Sequence, residues 1–392
     1  TVDRHFSVER KYETAFHGMS VSNISNSTVD EIEEMDEVEN VYRDRLLHVQ
    51  LEDSVPNIGA EGTHNTVFEG ENLTGKGVEV AVLDTGIDYR HPDLGGCTFN
   101  EVNNSDFSDC RFLPGYDFVS GDYDYMDERE HGTHVAGIVG ATGPDVKGVA
   151  PDAEIRGYRV CSGYGCPTSN IMGAIDRAMD PDQDGDPSDH VDILQMSIGG
   201  AGYPSDPMSQ ALNDAFEVGV VPVISAGNSG SASETVSNPA TARKALAVGS
   251  VNDNDRLNQF SSRGPQKVKD STDILFKPEI SAPGSEVVST VPGGGTKEKS
   301  GTSMAAPHVS GSAALLLQKY DNLRPLEVQS LLTQTSNPVE TDNLNYGVDL
   351  LDSGNGRVNV SEALNTSSVV TPEAISFGLS NSTGRWWNTS KI

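Results

Sequence analysis

Four short segments carry side chains able to do covalent chemistry. In Val80-Ala81-Val82-Leu83-Asp84-Thr85-Gly86 an apolar run ends in a carboxylate followed by a glycine turn. In an open α/β sheet that is the edge where ligands collect, although a lone Asp there also serves as a helix cap. His131-Gly132-Thr133-His134-Val135-Ala136-Gly137-Ile138-Val139 reads as a helix with Val135, Ile138 and Val139 on its buried side, so His131 in the first turn can face a cleft. His134 reads as a packed core histidine. Two histidines three apart could also ligate a metal, but the Glu of a zinc-protease helix is missing and no third ligand suggests itself. Gly301-Thr302-Ser303-Met304-Ala305-Ala306-Pro307 puts a serine at the start of a helix of small residues, whose free first-turn N–H groups favour an anion. A Ser hydroxyl needs a base at neutral pH, so His131 would have to reach Ser303 and Asp84 would have to orient the ring. Val223-Ile224-Ser225-Ala226-Gly227-Asn228 ends another apolar run in a carboxamide that could donate to an oxyanion.

The elements that must position these groups alternate. Val78 to Leu83, Glu154 to Val160, Val191 to Met196, Val220 to Ser225 and Ala245 to Val251 are short apolar runs with helical patterns between several of them. That predicts an α/β fold, a parallel, doubly wound sheet covered by helices on both faces as a three-layer sandwich. Residues 1–50 read differently. Alternating stretches at Tyr12–Phe16 and Val21–Ile24 precede an acidic helical run from Val29 to Met35, which predicts a small α+β unit. Leu51 to Gly75 is polar and glycine-containing and reads as a linker. Residues 51–366 are assigned to the main domain, and 367–392 to the start of a β-sandwich-like module whose first strand is Glu373 to Ser380.

Of 392 residues, 58 are Asp or Glu against 27 Lys or Arg, a net charge of −31 that repels nucleic acid and anionic lipid. The longest apolar run, Ala313 to Leu317, is far short of the roughly 18 residues of a membrane span. Cys97, Cys110, Cys161 and Cys166 allow three pairings, of which nearness in sequence favours Cys97–Cys110 and Cys161–Cys166. Disulfides imply an oxidising, extracellular setting. The chain opens at Thr1 without an apolar leader, so a secretory leader is expected ahead of it.

Asp84, His131, Asn228 and Ser303, with their flanks, resemble the four signature blocks of the subtilisin-like serine proteases in that family's Asp, His, Ser order, over about Gly75 to Leu364. The resemblance implies a secreted endopeptidase with Ser303 as nucleophile, His131 as general base and acid, Asp84 orienting it, and Asn228 with the Ser303 N–H as oxyanion hole. No cofactor is implied for the chemistry. Ser197-Ile198-Gly199-Gly200 resembles the family's substrate-pairing strand, Gly163 and Gly165 flank the opposing edge, and Ser237 falls near the floor of the first specificity pocket, an uncharged floor that favours a large apolar residue. Residues 1–50 resemble the later part of an inhibitory propeptide, cut somewhere in Leu46 to Ser54, which makes the chain a self-processing precursor acting as a monomer on polypeptides. Asp180, Asp182, Asp184 and Asp189 form an acidic loop whose opening matches a calcium loop, but position 12 is Val191, so a structural calcium site and a solvated loop both stay open. Asp93 matches a second ligand position, opposite a shortened loop at Ala141 to Gly148. An α/β-hydrolase would need G-x-S-x-G and Ser before Asp before His, which these segments lack. A degenerate binding module would have lost one of the four residues; all are present.

Overall fold

The computed structural model describes residues 7–12, 18–22, 25–33, 35, 38, 41, 54–103, 110–144, 146–163, 165–268, 273–340 and 349–371. The chain forms two compact units, Thr1–Val49 and Gln50–Ile392. In the first, β1 (Ser7–Tyr12) and β2 (Gly18–Ser22) pair antiparallel with Val8 opposite Val21. A helix α1 (Asn26–Glu33) follows, its first turn held by Thr28 N donating to Ser25 Oγ at 3.2 Å. The helix thus starts three residues before the acidic run, at the Ser-Asn-Ser-Thr segment whose capping chemistry is the stronger start signal. The strands lie earlier than the alternation suggested. Residues 46–53 of the expected cleavage region Leu46 to Ser54, and the expected strand at 373–380, lie outside the described residues.

The second unit is built on a seven-stranded sheet. Its strands are β3 (Glu79–Asp84), β4 (Phe112–Asp117), β5 (Glu154–Arg159), β6 (Ile193–Met196), β7 (Val221–Ser225), β8 (Leu246–Val251) and β9 (Ile280–Pro283), in the spatial order β9-β8-β7-β6-β3-β5-β4. Every pairing is parallel, with Val80 opposite Ile193, Leu83 opposite Met196 and Asp84 opposite Arg159. The period of two divides each strand between two cores. Val80, Val82, Ile193, Val221, Val223 and Val248 face a layer containing α2 (His131–Gly140) and α5 (Thr302–Lys319). Ala81, Leu83, Leu194, Met196, Ile224 and Ala247 face α3 (Thr168–Met179) and α4 (Pro207–Val218). This is the three-layer arrangement expected from the alternating pattern.

Both edge strands escaped the sequence reading. Phe112–Asp117 carries Pro114 and Gly115, and Ile280–Pro283 is four residues long and ends in proline. Proline is tolerated at an edge, where its missing donor faces no partner. The reading of Leu51–Gly75 as a linker is corrected. Val55, Ile58, Ala60 and Leu73 are buried in the main core, because short helices at Ser54–Asn57 and Ala60–Thr63 gather a sparse apolar set that no periodicity reveals. Cys97 pairs with Cys110 and Cys161 with Cys166. No helix among the described residues is long and apolar enough to cross a membrane.

Candidate active site

Asp84 is the last residue of β3, and the chain turns away from the sheet immediately after it. Gly86 sits at φ +105° with room for no side chain, since a Cβ there would lie 2.6 Å from the Tyr125 carbonyl oxygen. At the start of α2, a Cβ on Gly132 would lie 2.1 Å from the Gly86 oxygen. These two glycines let the strand end and the helix start approach, and His131 lands on Asp84: Nδ1 is 2.7 Å from Oδ1. The Thr85 N–H donates to the same oxygen at 2.7 Å. Asp84 is buried at 1% exposure, while the His131 side chain is 31% exposed, so one ring edge reaches solvent. The Asp84 charge, reinforced by their hydrogen bond, raises the His131 pKa above its ordinary value against the opposing pull of burial.

Asp127 was not singled out from the sequence, yet it fixes the first turn of α2. Its buried carboxylate accepts from Thr133 N at 3.0 Å, Thr133 Oγ1 at 2.6 Å, Thr85 Oγ1 at 2.9 Å and Arg129 N at 2.7 Å. The Thr85 hydroxyl in turn accepts from Gly132 N at 2.9 Å. Burial pushes the Asp127 pKa up, opposed by these hydrogen bonds. The Asp four residues before His131 was the available signal, but four positions lies outside the usual capping pattern. His134 is buried with Nε2 2.8 Å from the Lys297 oxygen, and burial lowers its pKa to about 3, as fits a packed histidine.

Ser303 occupies the first turn of α5, and its hydroxyl donates to the Ser197 carbonyl at 3.3 Å rather than to His131. Asn228 follows β7. Its Oδ1 accepts from Thr302 N at 2.9 Å and from Thr302 Oγ1 at 3.0 Å, which leaves the donor end, Nδ2, for the cavity that Asn228 and Ser303 both line. The Thr302 hydroxyl also accepts from Gly227 N at 3.1 Å. The cavity has a volume of about 780 Å³, and Ser197, Gly199, Gly200 and Ser237 line it with them.

Ser197–Gly200 continues from β6, and Gly200 exchanges backbone bonds with Asn238 at 2.8 and 3.0 Å. Ile198 does not line the cavity; it packs against the α3–α4 core. Ser237 Oγ donates to the Ala226 carbonyl at 3.1 Å, just where a Cβ on Gly199 would clash at 2.4 Å. Glu234 also reaches the cavity, with its carboxylate paired to Lys267. Gly163 and Gly165 lie outside the cavity, in a turn closed by a Ser162–Gly165 bridge and the Cys161–Cys166 disulfide; the turn begins where Val160 N and Cys161 N donate to the Asp84 carbonyl.

The acidic loop lies apart from this cavity, at the C-terminus of α3. Carboxylate oxygens of Asp180, Asp182 and Asp189 lie within 4.8 Å of one another; Asp184 stands outside that group and instead accepts from Asp186 N at 2.8 Å. The Asp184 N–H pulls the Asp182 pKa down, but desolvation and the charges of Asp184, Asp189 and Asp180 leave it raised. An all-oxygen donor set suits calcium, which takes six to eight such ligands. The Asp93 backbone carbonyl accepts from Thr142 N at 2.8 Å, and the Asp93 carboxylate lies close against Gly143.

The structure thus joins His131 to Asp84 and sets Ser303 and Asn228 along one cavity, all at strand ends and helix starts of a parallel three-layer α/β fold, the architecture of a serine peptidase of the subtilisin type. Residues 75–356 match the model of the subtilase family, and residues 2–50 match that of the peptidase inhibitor I9 family. The chain belongs to the subtilase family. It is 32% identical to serine protease AprX of Bacillus subtilis (strain 168), over 83% of this chain and 75% of AprX. It is 35% identical to subtilisin DY of Bacillus licheniformis, over 76% of this chain and 95% of that protein. The crystal structure of a cold adapted subtilisin-like serine proteinase superposes with a TM-score of 0.57 at 30% identity, over 77% of this chain and 96% of its own.

Proposed function

We propose that this serine peptidase is a secreted endopeptidase in which Ser303, His131, Asp84 and Asn228 carry the reaction. His131 Nε2 takes the Ser303 proton as Oγ attacks the substrate carbonyl carbon, and Asp84 holds the ring in the required tautomer while balancing the imidazolium. Asn228 Nδ2 and the Ser303 N–H, a free first-turn donor, receive the oxyanion. His131 then protonates the leaving amine as the C–N bond breaks, and water repeats the cycle on the acyl-enzyme. The 2.7 Å Asp84–His131 contact carries this reading. Reaction with a fluorophosphonate followed by peptide mapping tests it: the adduct belongs on Ser303 and is absent from Ser303→Ala, and an adduct elsewhere rejects the assignment.

The substrate backbone adds along Ser197–Gly200, with Gly163–Gly165 on the opposite side, and Ser237 lies at the pocket floor. Residues 1–50 act as an intramolecular inhibitor cut by the enzyme itself, residues 51–366 form the catalytic domain, and 367–392 lead into a further module. Two disulfides support secretion. The acidic loop takes calcium through Asp180, Asp182 and Asp189, with Asp184 holding the turn. Melting temperature in calcium against magnesium at one ionic strength decides this last point: a rise specific to calcium and lost in Asp182→Asn supports it, and equal behaviour of both proteins rejects it.

A further inference from the structure

Ser303 and Ser310 are two turns apart on α5 and share one face of the helix. Gln195 and Ser197, two apart along β6 and its continuation, share one face of the strand. The two pairs meet and close a ring. Ser310 Oγ donates to Gln195 Oε1; Gln195 Nε2 donates to Ser197 Oγ at 2.9 Å; Ser197 Oγ donates to the Ser303 carbonyl at 2.8 Å; and Ser303 Oγ donates to the Ser197 carbonyl at 3.3 Å. Gln195 and Ser310 are wholly buried, and Ser197 is 5% exposed. The Ser303 carbonyl is open to a side-chain donor because Pro307, four residues on, has no N–H to offer it.

We infer that Gln195 and Ser310 are positioning residues for Ser303, acting through the Ser197 hydroxyl. The Ser310 hydroxyl donates to Gln195 Oε1, and the amide therefore presents Nε2 to Ser197. With Nε2 there, Ser197 Oγ has an incoming donor and must spend its own hydrogen on the Ser303 carbonyl. Without Ser310 Oγ the amide is free to turn, Oε1 faces Ser197, and the Ser197 hydroxyl donates to Gln195 instead. The Ser303 carbonyl is then unpaired in a buried site, and the first turn of α5, which carries both the hydroxyl and the backbone N–H, loses its anchor to β6. An aliphatic pair would fill the same space without specifying this orientation.

The inference rests on Ser303 being the nucleophile, and the experiment separates the two. The parent is first labelled with a fluorophosphonate and mapped; an adduct away from Ser303 removes the nucleophile reading and this inference with it. Ser310→Ala and Gln195→Met are then compared with Ser281→Ala, which removes an equally buried hydroxyl from β9, bonded to the Ser353 carbonyl at 2.8 Å. All are measured well below their melting temperatures. Ser310→Ala and Gln195→Met should lower the labelling rate constant and kcat in parallel by roughly 10-fold while KM moves less than about twofold, and Ser281→Ala should leave both rates near the parent's. Labelling rates within about twofold of the parent's, or an equal loss in Ser281→Ala, would overturn the inference. Should Gln195→Met not fold, Ser310→Ala decides alone.

Discussion

In the proposed mechanism His131, as the general base, is the residue whose surroundings set the working pH. Asp84 stabilises the imidazolium, so the ring holds its proton to a higher pH than a free imidazole at ~6.5. A protonated ring cannot accept from Ser303, and activity is therefore lost as pH falls through that raised value. The acid limb of kcat/KM should lie above ~6.5, and a limb at or below it would contradict the pairing. Stability runs the opposite way. The imidazolium–carboxylate contribution is complete below the unfolded-state pKa of His131 and disappears as pH rises through its folded-state value. Asp84→Asn should lower kcat by on the order of 10⁴-fold, because an amide opposite Nδ1 favours the wrong tautomer. In the proposed mechanism Asn228 acts on the oxyanion alone. Asn228→Ala should lower kcat by about 10²–10³-fold with little change in KM, measured on a peptide anilide at saturating substrate; a raised KM with kcat unchanged would point to a ground-state contact instead.

Elements carry these residues, and their junctions are where sequence reading succeeds or fails. The strand ending in Asp84 and the helix opening at Thr302 were legible because an apolar run stops abruptly at a polar residue beside glycine. Asp127 was not, since its four hydrogen bonds join residues before and after it across a turn that no period describes. Gln195 reads as a mid-strand polar residue and Ser310 as one more small residue of a packed helix; only their meeting across the layer gives them a part. The edge strands were lost because Pro114-Gly115 interrupts one and the other is only four residues long; a proline alone does not hide a strand, since Pro222 lies in the interior strand β7, which was legible. The junction held by Asp127 yields its own prediction. Asp127→Ala strands four donors around the first turn of α2 and should cost on the order of 3 kcal/mol in urea unfolding, with kcat reduced because His131 begins that helix. A loss below about 0.5 kcal/mol would mean that water replaces the carboxylate without penalty.

At the scale of the whole chain, the net charge of −31 works against compactness, because like charges gathered on one folded surface repel more strongly than along an extended chain. Salt screens this over ~10 Å at 0.1 M and ~3 Å at 1 M, so the melting temperature should rise with KCl at constant calcium; a flat response would show that local ion pairs offset the surplus. The two-unit division carries the remaining prediction. The stretch matching an I9 inhibitor ends at residue 50, the position in the sequence where the unit that holds Ser303 begins. If the peptidase releases its own inhibitor, the first bond broken lies near that boundary and its cleavage requires the Ser303 hydroxyl. Ser303→Ala, purified from a host lacking other proteases, should persist as one uncut chain, while the parent separates into a piece ending near residue 50 and the remainder. The released piece should still inhibit until it is degraded, so the parent's cleavage on a gel should precede its activity on an added peptide. Processing of Ser303→Ala to the same pieces would make residues 1–50 the substrate of another enzyme, and activity appearing in step with the parent's cleavage would remove the inhibitory role after the cut.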